Sequence, residues 1–322
     1  MKQARRRGLC LLLAALAGAP VQAATEHYRG LCDASAAVAL DVTHFVVAND
    51  EDNLLRLYTR GEPEPAGTLP LAGLLGSGQR ESDIEGAARI GNRIYWIASH
   101  GRNSSGKKRE ERHRFFAVEA EDGLLLPTGA AYTRLLDDMA AAPTLRHLKL
   151  KDAAALPPEA PGGLNIEGLA AMPDGGLLVG FRNPIPNGRA LVVPLLNPAE
   201  VIDRGQPARF GEPLLLPLRN RGIRSMEWAA GAYWIVAGPT ADRGSFSLYR
   251  WSGRPADAPQ LLDSTALADL RPEALFAWPG SPGGLQVLSD DGGVELGGVA
   301  CKQRPVEQQR FRALGMALPQ VR

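Results

Sequence analysis

Residues 82–102 read SDIEGAARIGNRIYWIASHGR, and residues 163–183 read GLNIEGLAAMPDGGLLVGFRN. The two stretches superpose without a gap, so that Glu85 falls on Glu167 and Gly86 falls on Gly168. Each contains Ile-Glu-Gly, a run of small residues, a polar turn and an apolar run. Repetition of this kind is typical of a chain built from similar structural units.

The same pattern occurs in five places along the chain. Apolar runs begin near His44, Ile94, Leu177, Tyr233 and Leu285. Each follows small residues and a polar or acidic position, which we align as Ser35, Glu85, Glu167, Glu227 and Glu273. We therefore expect five units, each opening with two antiparallel strands joined by a turn.

Further β-like runs follow each pair of strands. Candidate third strands cover 53–58, 114–120, 189–196, 245–251 and 311–318, and candidate fourth strands cover 66–73, 212–218 and 259–264. Short strands separated by Gly, Pro, Asn and Asp turns indicate an all-β fold, and the repeat favours a five-bladed β-propeller. Residues 131–163, which are rich in Leu, Met and Ala, predict a helical insertion in the second blade. A propeller with a hidden sixth blade is the alternative.

The N-terminal region carries signals for export and for ring closure. Residues 1–23 have the basic start, apolar run and small-residue end of a signal peptide, and residues 24–322 are expected to form one propeller domain. We expect a periplasmic or secreted monomer. The segment 26–31 has no blade of its own and could complete the last one. Cys32 and Cys301 then remain as an even pair, which predicts a disulfide.

Composition limits the partners. The chain is 45% apolar and 22% charged, with a formal net charge of +1, so the sequence predicts neither disorder nor nucleic-acid binding. The apolar run of the leader is too short for a permanent membrane span, and no later stretch reaches about 20 apolar residues.

The units place polar side chains at one mouth of the central channel. In an antiparallel meander, the start of the first strand and the end of the second strand lie at the same edge. The expected metal ligands at this edge are Asp83, Glu85, Glu167, Glu227 and Glu273. The expected ligand-binding residues are His100, Arg102, Arg182, Arg224 and Arg271. Asp33, Asp50, Asp290 and Asp291 are assigned to the same face.

These residue types support three interpretations. Clustered carboxylates suit a hard cation such as Ca²⁺. Arginines suit phosphate or carboxylate groups of a small polar or anionic ligand. Repeated Glu and Arg side chains could instead join neighbouring blades through ion pairs.

Familiar catalytic signatures are absent from the sequence. It has no Gly-x-Ser-x-Gly elbow, His-Glu-x-x-His motif, Cys-x-x-Cys pair or EF-hand loop. The segment GKKREERHR (106–114) is interpreted as a solvated hairpin loop. The remaining alternatives are a metal-assisted phosphoesterase, in which metal-bound water attacks an anion held by arginines, and a non-catalytic interaction scaffold.

The segments DASAAVALD, SDIEGAARIGNRIYWIASHGRN, GGLNIEGLAAMPDGGLLVGFRNPIP and RGIRSMEW resemble a bacterial family known as domain of unknown function 3616. The resemblance spans most of the chain after the leader and implies no activity. A wider similarity to exported phytase-like and esterase-like propellers rests on Glu-Gly-Leu-Ala segments at the starts of blades. It implies a propeller fold and no specific reaction.

Overall fold

The computed structural model describes residues 25–78, 80–241, 243–280 and 284–317. These residues form five four-stranded antiparallel sheets whose innermost strands contact one another in a closed ring. The prediction of an all-β, five-bladed propeller is confirmed. The expected signal peptide, residues 1–23, lies outside the described residues.

Strands are numbered in chain order. The first blade contains β2 (Ala36–Ala39), β3 (His44–Ala48), β4 (Leu54–Thr59) and β5 (Pro65–Pro70). The second blade contains β6 (Ile84–Ile90), β7 (Arg93–Ala98), β8 (Phe115–Glu121) and β9 (Leu124–Tyr132). The third blade contains β10 (Asn165–Ala171), β11 (Leu177–Asn183), β12 (Ala190–Leu195) and β13 (Leu214–Leu216). The fourth blade contains β14 (Gly222–Ala229), β15 (Ala232–Gly238), β16 (Ser247–Trp251) and β17 (Gln260–Leu261).

The fifth blade closes the ring with strands from distant parts of the chain. Its order is β18 (Pro272–Ala277), β19 (Gly284–Ser289), β22 (Arg310–Ala317) and β1 (Thr25–Arg29). A short hairpin of β20 (Glu295–Leu296) and β21 (Val299–Ala300) lies in the loop before β22. The expectation that segment 26–31 completes the last blade is confirmed, because β1 pairs with β22, which then has a partner on both sides.

The second strand of each blade explains why the repeats are visible in the sequence. Every residue of β11 and β15 is buried, as is β7 after its first residue. A strand covered on both faces reads as a continuous apolar run rather than an alternating one. The turns before these strands contain the glycines and polar residues that tight reversals require.

The hydrophobic core is divided among the interfaces between blades. Five clusters of buried side chains each join strands of two neighbouring blades. At the closing interface, Tyr28 of β1 stacks on Phe311 of β22, and Phe45 of the first blade stacks on Phe276 of the fifth. The ring is therefore held together by packing between blades as well as by hydrogen bonding within them.

Helices lie mainly outside the blades. The expected helical insertion consists of α2 (Leu135–Ala141) and α3 (Leu150–Ala153), which follow β9 on the way to the third blade. A short helix α1 (Ala72–Leu75) precedes the second blade, and α4 (Pro198–Arg204) joins β12 to β13. Both α1 and α4 contact β9, the outer strand of the second blade. Within the described part of the chain, no helix combines the length and apolar character needed to cross a membrane.

A disulfide joins Cys32, just before the first blade, to Cys301, in the loop between β19 and β22. The prediction of this bond is confirmed. The two cysteines are 269 residues apart in sequence, with Cα atoms separated by 5.9 Å. The bond therefore ties the start of the first blade to the fifth blade, beside the strand closure.

Candidate functional site

Most innermost strands begin with an irregular residue that interrupts the hydrogen-bonded ladder. The register shifts at this position in four blades, where the residues are Glu85, Glu167, Arg224 and Glu273. An extra residue in one strand turns its side chain away from the ordinary alternation, and such bulges are frequent at the rims of closed sheets. The four side chains are directed by this geometry to the same mouth of the central channel, where they line one cavity.

The glycine of the repeated Ile-Glu-Gly has a steric explanation. A Cβ atom at Gly168 would lie 2.7 Å from Cγ2 of Ile223, and a Cβ atom at Gly86 would lie 3.1 Å from Cβ of Leu169, each on the next blade. Neighbouring inner strands thus approach more closely than a larger side chain allows. The glycine is required by packing, and the glutamate before it is free to face the channel.

The alignment of the fourth unit was wrong by three residues. The register places Arg224, not Glu227, at the bulge that corresponds to Glu85 and Glu167. Glu227 pairs with Trp234 farther along β14 and is not among the described residues that line the cavity. Its carboxyl is partly buried, and burial raises its pKa to about 8.

The mouth encloses a cavity of about 560 Å³. Its charged lining residues are Asp33, Asp50, Glu51, Asp83, Glu85, Arg112, Glu159, Glu167, Arg182, Arg224, Arg243, Arg271, Glu273, Asp290 and Lys302. Each of the five blades contributes to this set. The structure therefore brings together four of the five expected metal ligands and three of the five expected ligand-binding residues.

The third, fourth and fifth blades supply a network of alternating charges. Glu167 lies 3.0 Å from Nη1 of Arg182 and 2.9 Å from Nε of Arg224. Arg224 also forms an ion pair with Glu273, and Arg182 lies 3.2 Å from Glu159. The side chains of Glu167, Arg182 and Arg224 are each less than one-tenth exposed. Glu167 and Glu273 are thus already compensated by arginines, as the inter-blade interpretation expected.

Carboxylates dominate the first and second blades. Oxygens of Asp50, Asp83 and Glu85 lie within 4.8 Å of one another, and so do oxygens of Asp33, Asp50 and Glu51. Arg112 binds Asp83 at 2.8 Å, and Lys302 binds Glu51 at 2.6 Å.

Some of these acidic oxygens have no hydrogen-bond or ion-pair partner among the described residues. Glu85 makes no hydrogen bond or ion pair to another described side chain, and Oδ1 of Asp50 is buried without a hydrogen-bond partner. The other two glutamates at bulges, Glu167 and Glu273, each meet Arg224. The acidic half of the mouth therefore differs from the paired network opposite.

Burial and crowding raise the pKa values of these acids. Burial raises the pKa of Glu85 well above its usual range, and the charge of Glu167 adds to this effect. Burial and the neighbouring Asp290 carboxyl raise the pKa of Asp33 to about 8. The pKa of Asp83 is raised to about 6 by burial, against the opposing effect of Arg112. A buried carboxylate without a compensating charge favours proton uptake or a bound cation.

His100 and Arg102 lie near this edge, but they are not among the described lining residues. His100 is 1% exposed, its Nδ1 lies 2.8 Å from the Ala98 carbonyl oxygen, and its ring packs edge-on against His113. Burial, with a smaller effect of His113, lowers its pKa to about 3. Arg102 donates hydrogen bonds to the carbonyl oxygens of Ala154 and Gly106. Both side chains therefore contact backbone carbonyl groups in this structure.

Several lining residues were not identified from the sequence. Arg112 lies in the segment interpreted as a solvated loop, yet its side chain is only 15% exposed between Glu81 and Asp83. Arg243 and Lys302 come from loops between the second and third strands of their blades. These loops lie at the same edge as the bulges. Because the start of the first strand and the end of the second strand share an edge in a meander, the sequence could have predicted that these loops line the cavity.

The arrangement suits a ligand with more than one kind of charge. One half of the mouth offers uncompensated oxygen atoms of the type that hard cations prefer. The other half offers guanidinium groups, whose planar donors match the oxygens of carboxylate and phosphate groups. Phe246 lies beside Arg224 and adds an apolar surface to the lining.

The solved structures that resemble this chain share little sequence identity with it. No curated protein matches the chain. A Thermus thermophilus protein described as an oxidoreductase (glucose dehydrogenase) is 16% identical, with a TM-score of 0.46 and coverage of 91% of this chain and 100% of that one. Myxococcus xanthus glutaminyl cyclase is 11% identical, with a TM-score of 0.45 and coverage of 94% and 100%. The PQQ-bound aldose sugar dehydrogenase of Streptomyces coelicolor is 13% identical, with a TM-score of 0.44 and coverage of 92% and 99%.

A family model covers the middle of the chain. The matched region runs from the end of β9 through the third and fourth blades into β18. It is narrower than the resemblance drawn from the repeat motifs, but it contains Glu167, Arg182 and Arg224. Residues 131–275 match the family described as protein of unknown function (DUF3616).

Proposed function

We propose that the mouth of the propeller binds a small anionic molecule together with a divalent cation. The observation that carries this proposal is the unequal compensation of charge around the ring. Arginines meet Glu167 and Glu273, whereas Glu85 and Asp50 face the cavity without a basic partner among the described residues.

The charge of the lining favours a cation as the first occupant. Among the described lining residues, nine are carboxylic acids and six are basic, which gives a formal charge of 6 − 9 = −3. An anion entering alone would meet net repulsion from this cavity. A hard cation such as Ca²⁺ would bind oxygens of Asp50, Asp83 and Glu85 and would reduce the formal charge of the lining from −3 to −3 + 2 = −1, which weakens that repulsion.

The anion would be held by arginines of the fourth and fifth blades. Arg271 and Arg243 line the cavity on the fifth and fourth blades, and neither forms an ion pair with another described residue. Their guanidinium groups are available to a carboxylate or phosphate group, whereas Arg182 and Arg224 are already paired with glutamates. The site would thus bind its ligand between bound cation and arginine.

The proposed place of action is outside the cytoplasm. We propose that residues 1–23 direct export and are removed, which leaves 24–322 as one periplasmic or secreted propeller domain that acts as a monomer. The disulfide between Cys32 and Cys301 supports this location, because such bonds persist in oxidising compartments.

The cation part of the proposal is tested by thermal unfolding of the purified protein with Ca²⁺ and with a chelator. Ca²⁺ should raise the melting temperature, because a ligand that binds only the native state stabilises it. Glu85→Gln should reduce the increase, whereas Glu64→Gln, on an exposed pair with Arg29, should not. Equal melting curves in Ca²⁺ and chelator, with no retained metal, would leave the ion-pair network as the role of these residues.

The anion part is tested by calorimetric titration with inorganic phosphate. We expect binding in the presence of Ca²⁺, weaker binding with chelator, and weaker binding in Arg271→Ala. Hydrolysis of phosphate and carboxylate esters, measured on the same samples, separates a phosphoesterase from a binding protein. Phosphate affinity that is unchanged by both Ca²⁺ and Arg271→Ala would contradict the proposed binding mode.

A further inference from the structure

Asp50 belongs to two groups of carboxylates at once. Its oxygens lie within 4.8 Å of those of Asp83 and Glu85 on one side, and within the same distance of those of Asp33 and Glu51 on the other. Asp50 follows β3, at the edge where the first and second blades meet. It is the residue that the two groups have in common.

Two of these carboxylates, Asp50 and Glu85, are incompletely paired. Oδ1 of Asp50 has no hydrogen-bond partner and essentially no exposed surface. Glu85 is 9% exposed and forms no ion pair with the described residues. A buried polar group without a partner is costly, so its retention at this position points to an occupant that supplies the missing interaction.

We propose that the acidic half of the mouth holds two divalent cations, with Asp50 as the ligand shared by both. This inference rests on the proposed function and adds a second cation to it. Asp83 and Glu85 complete the protein ligands of the first cation, and Asp33 and Glu51 complete those of the second. A carboxylate has two oxygens and can offer one to each ion.

The local charge agrees with two ions rather than one. Around Asp50 the lining contributes Asp33, Asp50, Glu51, Asp83, Glu85 and Asp290, together with the basic residues Arg112, Lys302 and Arg271, which adjoins Asp290. The formal charge of this set is 3 − 6 = −3. One divalent cation would leave a negative charge uncompensated in a largely buried cluster, and a second cation would compensate it.

A basic side chain competes with the cation at each position. At the first position Arg112 lies 2.8 Å from Asp83, and at the second position Lys302 lies 2.6 Å from Glu51. Lys302 and Glu51 are both about half exposed, so this pair can be altered without disturbing buried structure. Removal of the Lys302 charge should therefore strengthen cation binding at the second position.

Two adjacent cations would also limit which anions the site can bind. They suit an oxyanion that presents several oxygens, and two-metal sites commonly bind phosphate groups in this way. Arg271 and Arg243 line the same cavity and could meet the oxygens that remain. We assign phosphate or a phosphate ester as the ligand class.

The test is calorimetric titration of the chelator-treated protein with CaCl₂. We expect two equivalents for the native protein and for the exposed control Glu64→Gln. Glu85→Gln and Glu51→Gln should each bind one equivalent, and Asp50→Asn should bind at least about tenfold more weakly at both positions, a change of about 1.4 kcal/mol in each binding free energy. Lys302→Met should retain two equivalents and tighten the one at the second position.

The outcomes distinguish this inference from the function on which it rests. One equivalent in the native protein, unaffected by Glu51→Gln and Lys302→Met, would overturn the second cation and leave the proposed function intact. No bound Ca²⁺ would overturn both. Glu51→Gln lies at a half-exposed position and is expected to fold, so a stoichiometry measured on it decides the question even if Asp50→Asn is unstable.

Discussion

Nε of Arg224 lies 2.9 Å from Oε2 of Glu167 on the neighbouring blade, and both side chains are almost completely buried. Glu167 also meets Arg182 within its own blade, and Arg224 meets Glu273 on the next. One acidic and one basic side chain therefore connect three consecutive inner strands. By contrast, Glu85, at the bulge of the second blade, forms no ion pair with a described residue.

Glu167→Gln should strongly destabilise the fold. The substitution removes the negative charge that compensates two buried guanidinium groups, and breaking a buried pair from one side costs about 3–5 kcal/mol. Denaturant unfolding measures the change. Glu64→Gln, which breaks an exposed pair with Arg29, should cost less than about 1 kcal/mol. Similar losses in the two variants would show that the network contributes little to stability.

Gly168→Ala should destabilise the interface between the third and fourth blades. The added Cβ would lie 2.7 Å from Ile223 and 2.9 Å from Met226, and overpacking of this kind costs about 1–3 kcal/mol. Gly67, in β5, has no atom within 4 Å of an added Cβ. The free energy of unfolding of Gly67→Ala should therefore stay within about 1 kcal/mol of the native value. Equal effects at the two glycines would rule out close strand approach as the reason for the motif.

Glu227 should make stability depend on pH. Burial raises its pKa from 4.5 to about 8, so the folded state binds a proton that the unfolded state releases between these values. The resulting penalty is absent below pH 4.5, grows as the pH rises, and is complete above about pH 8. Glu227→Gln should match the native stability at about pH 4 and exceed it at about pH 9. Parallel pH profiles for the variant, the native protein and Glu64→Gln would contradict this assignment.

Loss of the Cys32–Cys301 bond should weaken both the fold and the site. The bond joins residues 269 positions apart, and removal of such a constraint typically costs about 2–5 kcal/mol. Its neighbours Asp33 and Lys302 line the cavity, so Ca²⁺ binding should weaken as well. The Cys32→Ser/Cys301→Ser double variant and the reduced native protein should unfold alike. A reductant should not change the variant further.

The sequence predicted the blades better than it predicted the site. The second strands are covered on both faces, so β7, β11 and β15 produce long apolar runs that are easy to align. By contrast, β9 is largely exposed, contains Pro127 and Gly129, and has no clear strand pattern of its own. Burial on both faces is what made a strand recognisable.

The errors at the site came from assuming that charge is repeated. Glu227 was chosen because it is acidic, but the repeated feature is a bulge in the backbone, and in the fourth blade that position holds Arg224. Arg112 and Lys302 enter from loops of different length, for which the repeat provides no register. Their contacts with Asp83 and Glu51 depend on how those loops fold over the mouth.

The pairing of β1 with β22 sets a limit on the order of folding. Thr25 lies opposite Leu314, so the fifth blade cannot be completed while residues 310–317 are still being synthesised. Until then, β19 lacks its partner β22 and β1 has no sheet to join. Unpaired strand edges, which can pair with other chains, therefore remain exposed. A nascent propeller would therefore remain an open arc that needs protection from aggregation. Pairing of β1 with β22 closes a loop of nearly the whole chain, so it should be the slow step of folding.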